Sequence, residues 1–338
     1  MKPNLFDYAT SELSQDAFLA WFFKWAEKEN EKEDKALHDC SLECLRLFLG
    51  KNVEIQTVDI YKQWENIDLW VTVNDKYHLI VEDKTGTTEH DNQLLKYKQT
   101  AKNWYEKDNG KNFESIFSFV YFKTGDINSY ERNKAIGSGY TVYNRIDLLS
   151  IFGKYEIQND IFNDFRLKLS EKQRIQTSFL NIPFEEMLKS ESREEYLKGF
   201  FISLEPELCD ASWDYVNNPS RPFYGMWWYW CDWTYGQLYF QFTDFDLQIR
   251  LSVKDGIENY AEVRTIAFNQ IMTKIENSKY KDSITKPDRF GTGNSMAIVK
   301  VDKSVWLSLD EKGHLDMDSI LEKLHSLEDF LWEDVLGN

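Results

Sequence analysis

The chain has 338 residues, and 40 basic against 57 acidic side chains leave it at −17, a sign that opposes general attraction to a phosphate backbone. Apolar residues make up 42%, enough for two buried cores. No apolar run is long enough to cross a bilayer, and the opening MKPNLFDYAT lacks a secretory leader pattern.

Four cysteines, Cys40, Cys44, Cys209 and Cys231, form neither a CxxC pair nor a zinc-ligand spacing. A globular protein with reduced thiols, resident in the cytoplasm, is expected, with Cys40 and Cys44 packing in a core. Residues 11–29 are predicted to form a helix capped by Ser11 or Ser14, with Leu13, Ala17, Phe18, Trp21, Phe22 and Trp25 on its apolar face. Glu12 lies in the first turn of that helix and Asp16 one turn later, where acids complement the helix dipole. After a charged linker over 28–35, a second helix over 36–49 carries Leu37, Cys40, Leu45, Phe48 and Leu49 and stops at Gly50. Residues 53–61 alternate as a strand, and 62–65 lead onward.

The stretch that follows, NIDLWVTVNDKYHLIVEDKTGTTEHDNQLLKY over 66–97, reads first as a hairpin. IDLWVTV and YHLIVEDK alternate as strands around Asn74, Asp75 and Lys76. A three-residue loop pairs Val73 with Tyr77 and so sets Asp68 opposite Glu82, whereas a two-residue loop pairs Asp68 with Val81. The period of two puts Glu82 and Lys84 on one face and Asp83 on the other, which makes Asp83 a control position for the site. Two carboxylates paired across strands repel unless a cation lies between them. Mg²⁺ takes such oxygens and supplies Lewis acidity and an activated water, and a neighbouring lysine orients that water or neutralises charge on phosphate. The chemistry this suggests is phosphodiester hydrolysis.

Asp68 followed by Glu82-Asp83-Lys84 resembles the D…ExK signature of the PD-(D/E)xK nuclease superfamily, with Ile67 where the short motif has proline. Gln93-Leu94-Leu95-Lys96-Tyr97 is similar to the QxxxY motif of its RecB-like members, and NLFDYATSELSQDAFLAWFFKWA resembles the first helix of a bacterial subfamily. The resemblance spans roughly residues 4–150. It implies a restriction-endonuclease-like mixed sheet flanked by helices, a Mg²⁺ (or Mn²⁺) cofactor, and nucleic acid, DNA foremost, as partner. It makes Asp68, Glu82 and Glu12 metal ligands, with Asp16 the alternative to Glu12, Lys84 a catalytic residue, and Gln93 and Tyr97 substrate-positioning or supporting groups. The competing expectation is a binding or regulatory module that keeps the fold without the chemistry.

A helix over 89–106 is expected next, with Thr88 and Asp91 as a capping pair and Leu94, Tyr97, Ala101 and Trp104 buried. Lys84, Lys96, Lys98, Lys102, Lys107 and Lys111 form either a basic strip on an acidic body or a solvated helix face. Strands over 115–123 and 140–144 complete a sheet of about five mixed strands in an α/β domain. Helices over 146–152 and 155–179 follow. His78 shares the face of Glu82 and is expected to pack there rather than react.

The domain division is placed at 1–175 for the nuclease-like part, 176–205 for a helical connector, and 206–338 for a smaller, aromatic-rich α+β domain. In the last, residues 222–250 are read as an antiparallel meander of two or three strands whose aromatics are sheet core before they are stacking platforms for bases. A helix over 259–277, strands over 295–301 and 305–309, and a helix over 317–335 complete it. No membrane association is expected; a protein partner or a second copy of the chain is left open.

Overall fold

The computed structural model describes residues 2–87, 92–106, 113–219, 221–291 and 293–337. The expected capping pair Thr88 and Asp91, the start of the helix at Glu89, and Lys107 and Lys111 lie outside the described residues. Two compact units divide the chain, Met1–Arg174 and Ile175–Asn338.

The first unit opens with α1 (Glu12–Lys24) and α2 (Lys35–Leu49). Ser11 caps α1, its hydroxyl accepting from the Ser14 N–H, and Asp34 caps α2 in the same way through Leu37; Gly50 ends α2 at φ 62°, the left-handed turn that glycine accepts without strain. Helix α1 is shorter than 11–29 because Asn30 donates to the Lys24 carbonyl at 2.9 Å and terminates it. Its buried face is also rotated from the expected one. Gln15, Asp16, Phe18, Leu19, Phe22 and Phe23 are buried, whereas Leu13 is 60% exposed.

Five strands follow: β1 (Val58–Trp64), β2 (Ile67–Val73), β3 (Tyr77–Lys84), β4 (Phe117–Lys123) and β5 (Thr141–Asn144), in that spatial order. The first three pair antiparallel and the last three parallel, a mixed sheet. Strand β1 begins later than expected and runs on to Trp64, which pairs with Ile67. The turn there is Glu65-Asn66, both at positive φ (54° and 63°), a two-residue hairpin turn that lacks the usual Asn-Gly signal. Between the strands lie α3 (Gln93–Glu106), α4 (Phe113–Ile116) and α5 (Ser129–Gly137); α6 (Arg145–Phe152) and α7 (Asp160–Thr177) close the unit. The side chain of Asn159 accepts from the Phe162 N–H at 3.1 Å, which sets the start of α7 later than 155.

Alternation along the strands divides the core in two. Leu69, Val71, Val73, Leu79, Val81, Val120 and Phe122 pack with Phe18, Phe22, Phe48 and Phe162 of α1, α2 and α7. Trp70, Ile80, Phe119 and Tyr121 pack on the other face with Leu94, Tyr97 and Ala101 of α3. Covered on both faces, β3 is buried from His78 to Lys84, as central parallel strands are. Cys40 and Cys44 are buried and free, and His78 stacks on Phe117 at 4.7 Å while its Nδ1 accepts from Trp70 Nε1 at 3.3 Å.

The second unit holds α8 (Phe184–Met187), α9 (Arg193–Leu204), strands β6 (Ser212–Val216), β7 (Phe223–Trp233), β8 (Gly236–Thr243) and β9 (Asp246–Val253), then α10 (Tyr260–Ile275), β10 (Ile284–Thr285), β11 (Ser295–Val301), α11 (Lys303–Trp306) and α12 (Met317–Asp329). Its six strands form an antiparallel sheet ordered β10-β11-β9-β8-β7-β6. Residues 305–309 are not a strand. Asp302 caps the short α11 and Trp306 is fully buried. The helices expected as a connector belong to this unit: Phe179, Phe184, Phe200 and Phe201 share one core with Trp228, Phe240 and Phe242. The aromatics of β7 and β8 divide between the two faces: Trp228, Trp233, Phe240 and Phe242 belong to that core, whereas Phe223, Trp227, Trp230 and Tyr239 lie outside it, Trp230 36% exposed and stacked on Tyr239 at 4.0 Å. Among the described residues no helix is long and apolar enough to cross a membrane.

Gly125, just after β4, positions the end of the sheet, because a Cβ there would lie 2.2 Å from the carbonyl oxygen of Thr85. Backbone cannot yield as a flexible side chain can. Gly125→Ala is expected to destabilise the first unit by at least about 1–3 kcal/mol, read from the urea midpoint of the full chain.

Candidate active site

The β2–β3 loop has three residues. Val73 pairs with Tyr77 and Leu69 with Val81, so the next pair outward sets Asp68 opposite Glu82. Asn74 and Asp75 reach this turn at φ 54° and 52°, conformations that Asn and Asp tolerate best after glycine. The register thereby brings Asp68, Glu82 and Lys84 to the face covered by α3, at the open end of the two strands.

The Lys84 ammonium is the centre of the arrangement. It forms an ion pair with Glu82 Oε1 and lies 3.9 Å from both Asp68 Oδ2 and Glu12 Oε2. Glu12 comes from the first residue of α1, where its Oε1 accepts from the Thr85 N–H at 3.2 Å and the Thr87 hydroxyl at 2.6 Å. Asp68 is held at both oxygens. Oδ2 accepts from the Asp83 N–H at 3.2 Å, and Oδ1 from Gln63 Nε2 at 3.2 Å and the Tyr97 hydroxyl at 3.5 Å. Gln93 Nε2 in turn donates to the Tyr97 hydroxyl at 2.6 Å. All six residues singled out by motif, Glu12, Asp68, Glu82, Lys84, Gln93 and Tyr97, therefore belong to one connected cluster.

Glu82 is fully buried. Burial first, then the charge of Asp68, pushes its carboxyl up to about 8 against the opposing pull of Lys84. Burial acts the other way on Lys84, but Glu82, Asp68 and Glu12 outweigh it and hold the ammonium above the ordinary lysine range. Burial and the same two acids raise the Tyr97 phenol, so it stays protonated and donates. His78, lowered to about 4 by burial, is a neutral packing group.

Apart from the Lys84 ammonium at Oε1, the carboxylate oxygens of Glu82 have no hydrogen-bond partner among the described residues. A buried carboxylate with open lone pairs, beside a second and a third, is a donor set suited to a hard divalent cation. Among the described residues, however, no three His, Cys, Asp or Glu side chains group as metal ligands. The reason is visible: the three carboxylates surround the Lys84 nitrogen instead of a common point of their own. Glu12, Asp68 and Glu82 are the acids that would hold a cation here, in place of the Lys84 ammonium.

The reverse face of β3 carries a feature that motif reading missed. Asp83 does face away from Glu82, as parity requires, but it is no isolated group. It is fully buried, accepts from Gln15 Nε2 at 2.5 Å, and feels the charge of Asp16. Burial, then Asp16, raises Asp83 well above the carboxylate range, and burial, then Asp68, brings Asp16 up to about 6. Gln15 also donates to the Lys84 carbonyl at 3.2 Å and accepts from the Thr124 hydroxyl at 2.5 Å. Asp16 thus faces Asp83 and Gln63, and Glu12 is the helix acid that reaches Lys84. The available signal was two polar residues, Gln15 and Asp16, one turn ahead of Phe18, Leu19 and Phe22 on the buried stripe.

Beside the site, on β4, Lys123 pairs in register with Lys84 and donates to both oxygens of Glu131 at 2.8 Å. No sequence signal marks this buried pair, because α5, which carries Glu131, has no apolar period. Of the lysines on α3, Lys98 lies over the Phe119 ring at 5.5 Å and Lys102 pairs with Glu106 at 3.8 Å.

A sequence profile for the PD-(D/E)XK nuclease superfamily matches residues 3–195, more than half of the chain. The chain belongs to that superfamily, whose members are generally nucleases acting on nucleic acid. No curated protein and no solved structure matches it significantly.

The raised carboxyl of Glu82 has a consequence for metal-free protein. The folded state binds a proton that the unfolded state releases, so stability is present at low pH and is lost as pH rises from about 4.5 to about 8. His78 acts oppositely, but only between about 4 and 6.5. Above pH 6.5 the thermal midpoint is therefore expected to fall with pH, and Glu82→Gln to flatten that slope. An unchanged slope in the variant contradicts the assignment.

Proposed function

We propose that this chain is a divalent-metal-dependent nuclease that hydrolyses phosphodiester bonds, with DNA as its principal substrate. The observation that carries the reading is the buried Glu82 opposite Asp68, with the Lys84 ammonium as its partner and Glu12 arriving from α1. Asp68, Glu82 and Glu12 would hold Mg²⁺ or Mn²⁺, which supplies Lewis acidity toward the phosphoryl oxygen and lowers the pKa of a bound water.

The chain's own groups account for the remainder. Lys84, held protonated by three acids, stabilises charge that develops on the phosphate or orients the attacking water. Gln93 holds the Tyr97 hydroxyl, which in turn fixes one oxygen of Asp68. The net charge of −17 favours contact confined to the site, with weak affinity elsewhere along the nucleic acid. Free cysteines fit a reducing compartment such as the cytoplasm.

A panel of linear, circular and single-stranded DNA and of RNA, incubated with the full chain and Mg²⁺ or Mn²⁺, tests the reading. Cleavage that chelator abolishes is expected, and Glu82→Ala and Lys84→Met are each expected to lower it by several orders of magnitude. The two variants separate by metal uptake. Lys84→Met removes a cation from the ligand set and should bind Mn²⁺ at least as tightly as wild type, whereas Glu82→Ala should bind it more weakly. No cleavage of any substrate, with Mn²⁺ uptake absent, leaves the fold serving as a binding or regulatory module.

A further inference from the structure

Gln63 lies across from Asp68 in the β1–β2 ladder. The pairs on either side, Lys62 with Leu69 and Trp64 with Ile67, keep one register, and between them Gln63 takes φ 53°. The hairpin turn does not require this, because it is made by Glu65 and Asn66. A residue with a Cβ inside a strand seldom adopts that conformation, and where it does, the surrounding structure holds it there.

The side chain shows what the conformation achieves. Gln63 Nε2 donates to Asp68 Oδ1 and to Asp16 Oδ2, each at 3.2 Å. The two protons of one amide are thus divided between a carboxylate of β2 and a carboxylate of α1. The residue is otherwise exposed, on the edge strand of the sheet. Its chemistry suits the place. A lysine or arginine would bring a charge that competes with a cation, a glutamate would add repulsion to two acids, and an asparagine is one methylene shorter.

We infer that Gln63 is a positioning residue of the metal centre. It fixes the rotation of the Asp68 carboxylate and ties it through Asp16 to the first turns of α1, the helix that delivers Glu12. The same amide sets the ligand Asp68 relative to α1, through Asp16, without neutralising either carboxylate. This rests on the metal-dependent reading of the site proposed above.

The test measures Mn²⁺ binding by calorimetry on wild-type full chain, Gln63→Gly and Gln63→Met, with thermal midpoints for each and kcat and KM on a cleaved substrate. Glycine removes the amide and accepts the positive φ; methionine keeps the length of the side chain without its donors. Both variants are expected to bind Mn²⁺ roughly 10- to 100-fold more weakly, as loss of a group that orients a metal ligand does. The midpoint of the glycine variant should be no lower than that of wild type, and kcat should fall while KM stays. A purely structural role would move the midpoint and spare the isotherm. Wild-type Mn²⁺ affinity in both variants overturns the assignment while leaving the metal centre intact. Absence of Mn²⁺ binding in wild type overturns the metal centre and this assignment with it. Should the glycine variant fail to fold, the methionine isotherm alone decides.

Discussion

Two carboxylates stand opposite one another at the open ends of β2 and β3, and the organisation of the first unit follows from making that pairing tolerable. Removing an isolated carboxylate from water is prohibitive unless it is paired or protonated. Here Glu82, without solvent contact, has the Lys84 ammonium and a raised pKa, and Asp68 has donors from β1, β3 and α3. The register that creates the pair depends on three residues, Asn74 to Lys76, and on two of them accepting positive φ. A shift of one residue would send Glu82 and Lys84 to the α1 face and Asp83 to the α3 face.

The reverse side of β3 repeats the problem. Asp83 is also fully buried and has Asp16 and Gln15 as partners. Adjacent residues of one strand thus carry buried acids on both faces, coupled through Asp68, which acts on Glu82, Asp83 and Asp16 alike. Arrangements of this kind lower stability and persist where function holds them. Positive φ at Gln63 adds local strain at the same end of the sheet. A divalent cation among Glu12, Asp68 and Glu82 would relieve the repulsion that metal-free protein meets with a lysine and a proton.

The sequence made the centre of this site legible and its surroundings less so. Period-two alternation and one loop length placed Asp68, Glu82 and Lys84 together, and four-residue spacing joined Gln93 to Tyr97. Chain periodicity also showed α2, the five-stranded mixed sheet and, in the second unit, the β7–β9 meander, α10, β11 and α12, but not β6 or β10. What it could not show were contacts between residues distant in sequence. Gln63 reads as a linker residue until Glu65-Asn66 is known to turn, and Gln15 and Asp16 read as a helix start until the buried face of α1 is seen to include them. Lys123 and Glu131 required α5, whose polar sequence SYERNKAIG has no apolar period to announce it. The end of α1 is not legible from its own residues, because Asn30, six residues beyond Lys24, supplies the stop.

The most direct test is a crystal of the full chain soaked in Mn²⁺ and measured at a wavelength where manganese scatters anomalously. The account predicts a peak in contact with carboxylate oxygens of Asp68 and Glu82, with the Lys84 ammonium displaced from Glu82 Oε1. An absence of any peak there, or a peak held by Asp16 and Asp83 on the reverse face of β3, would contradict it.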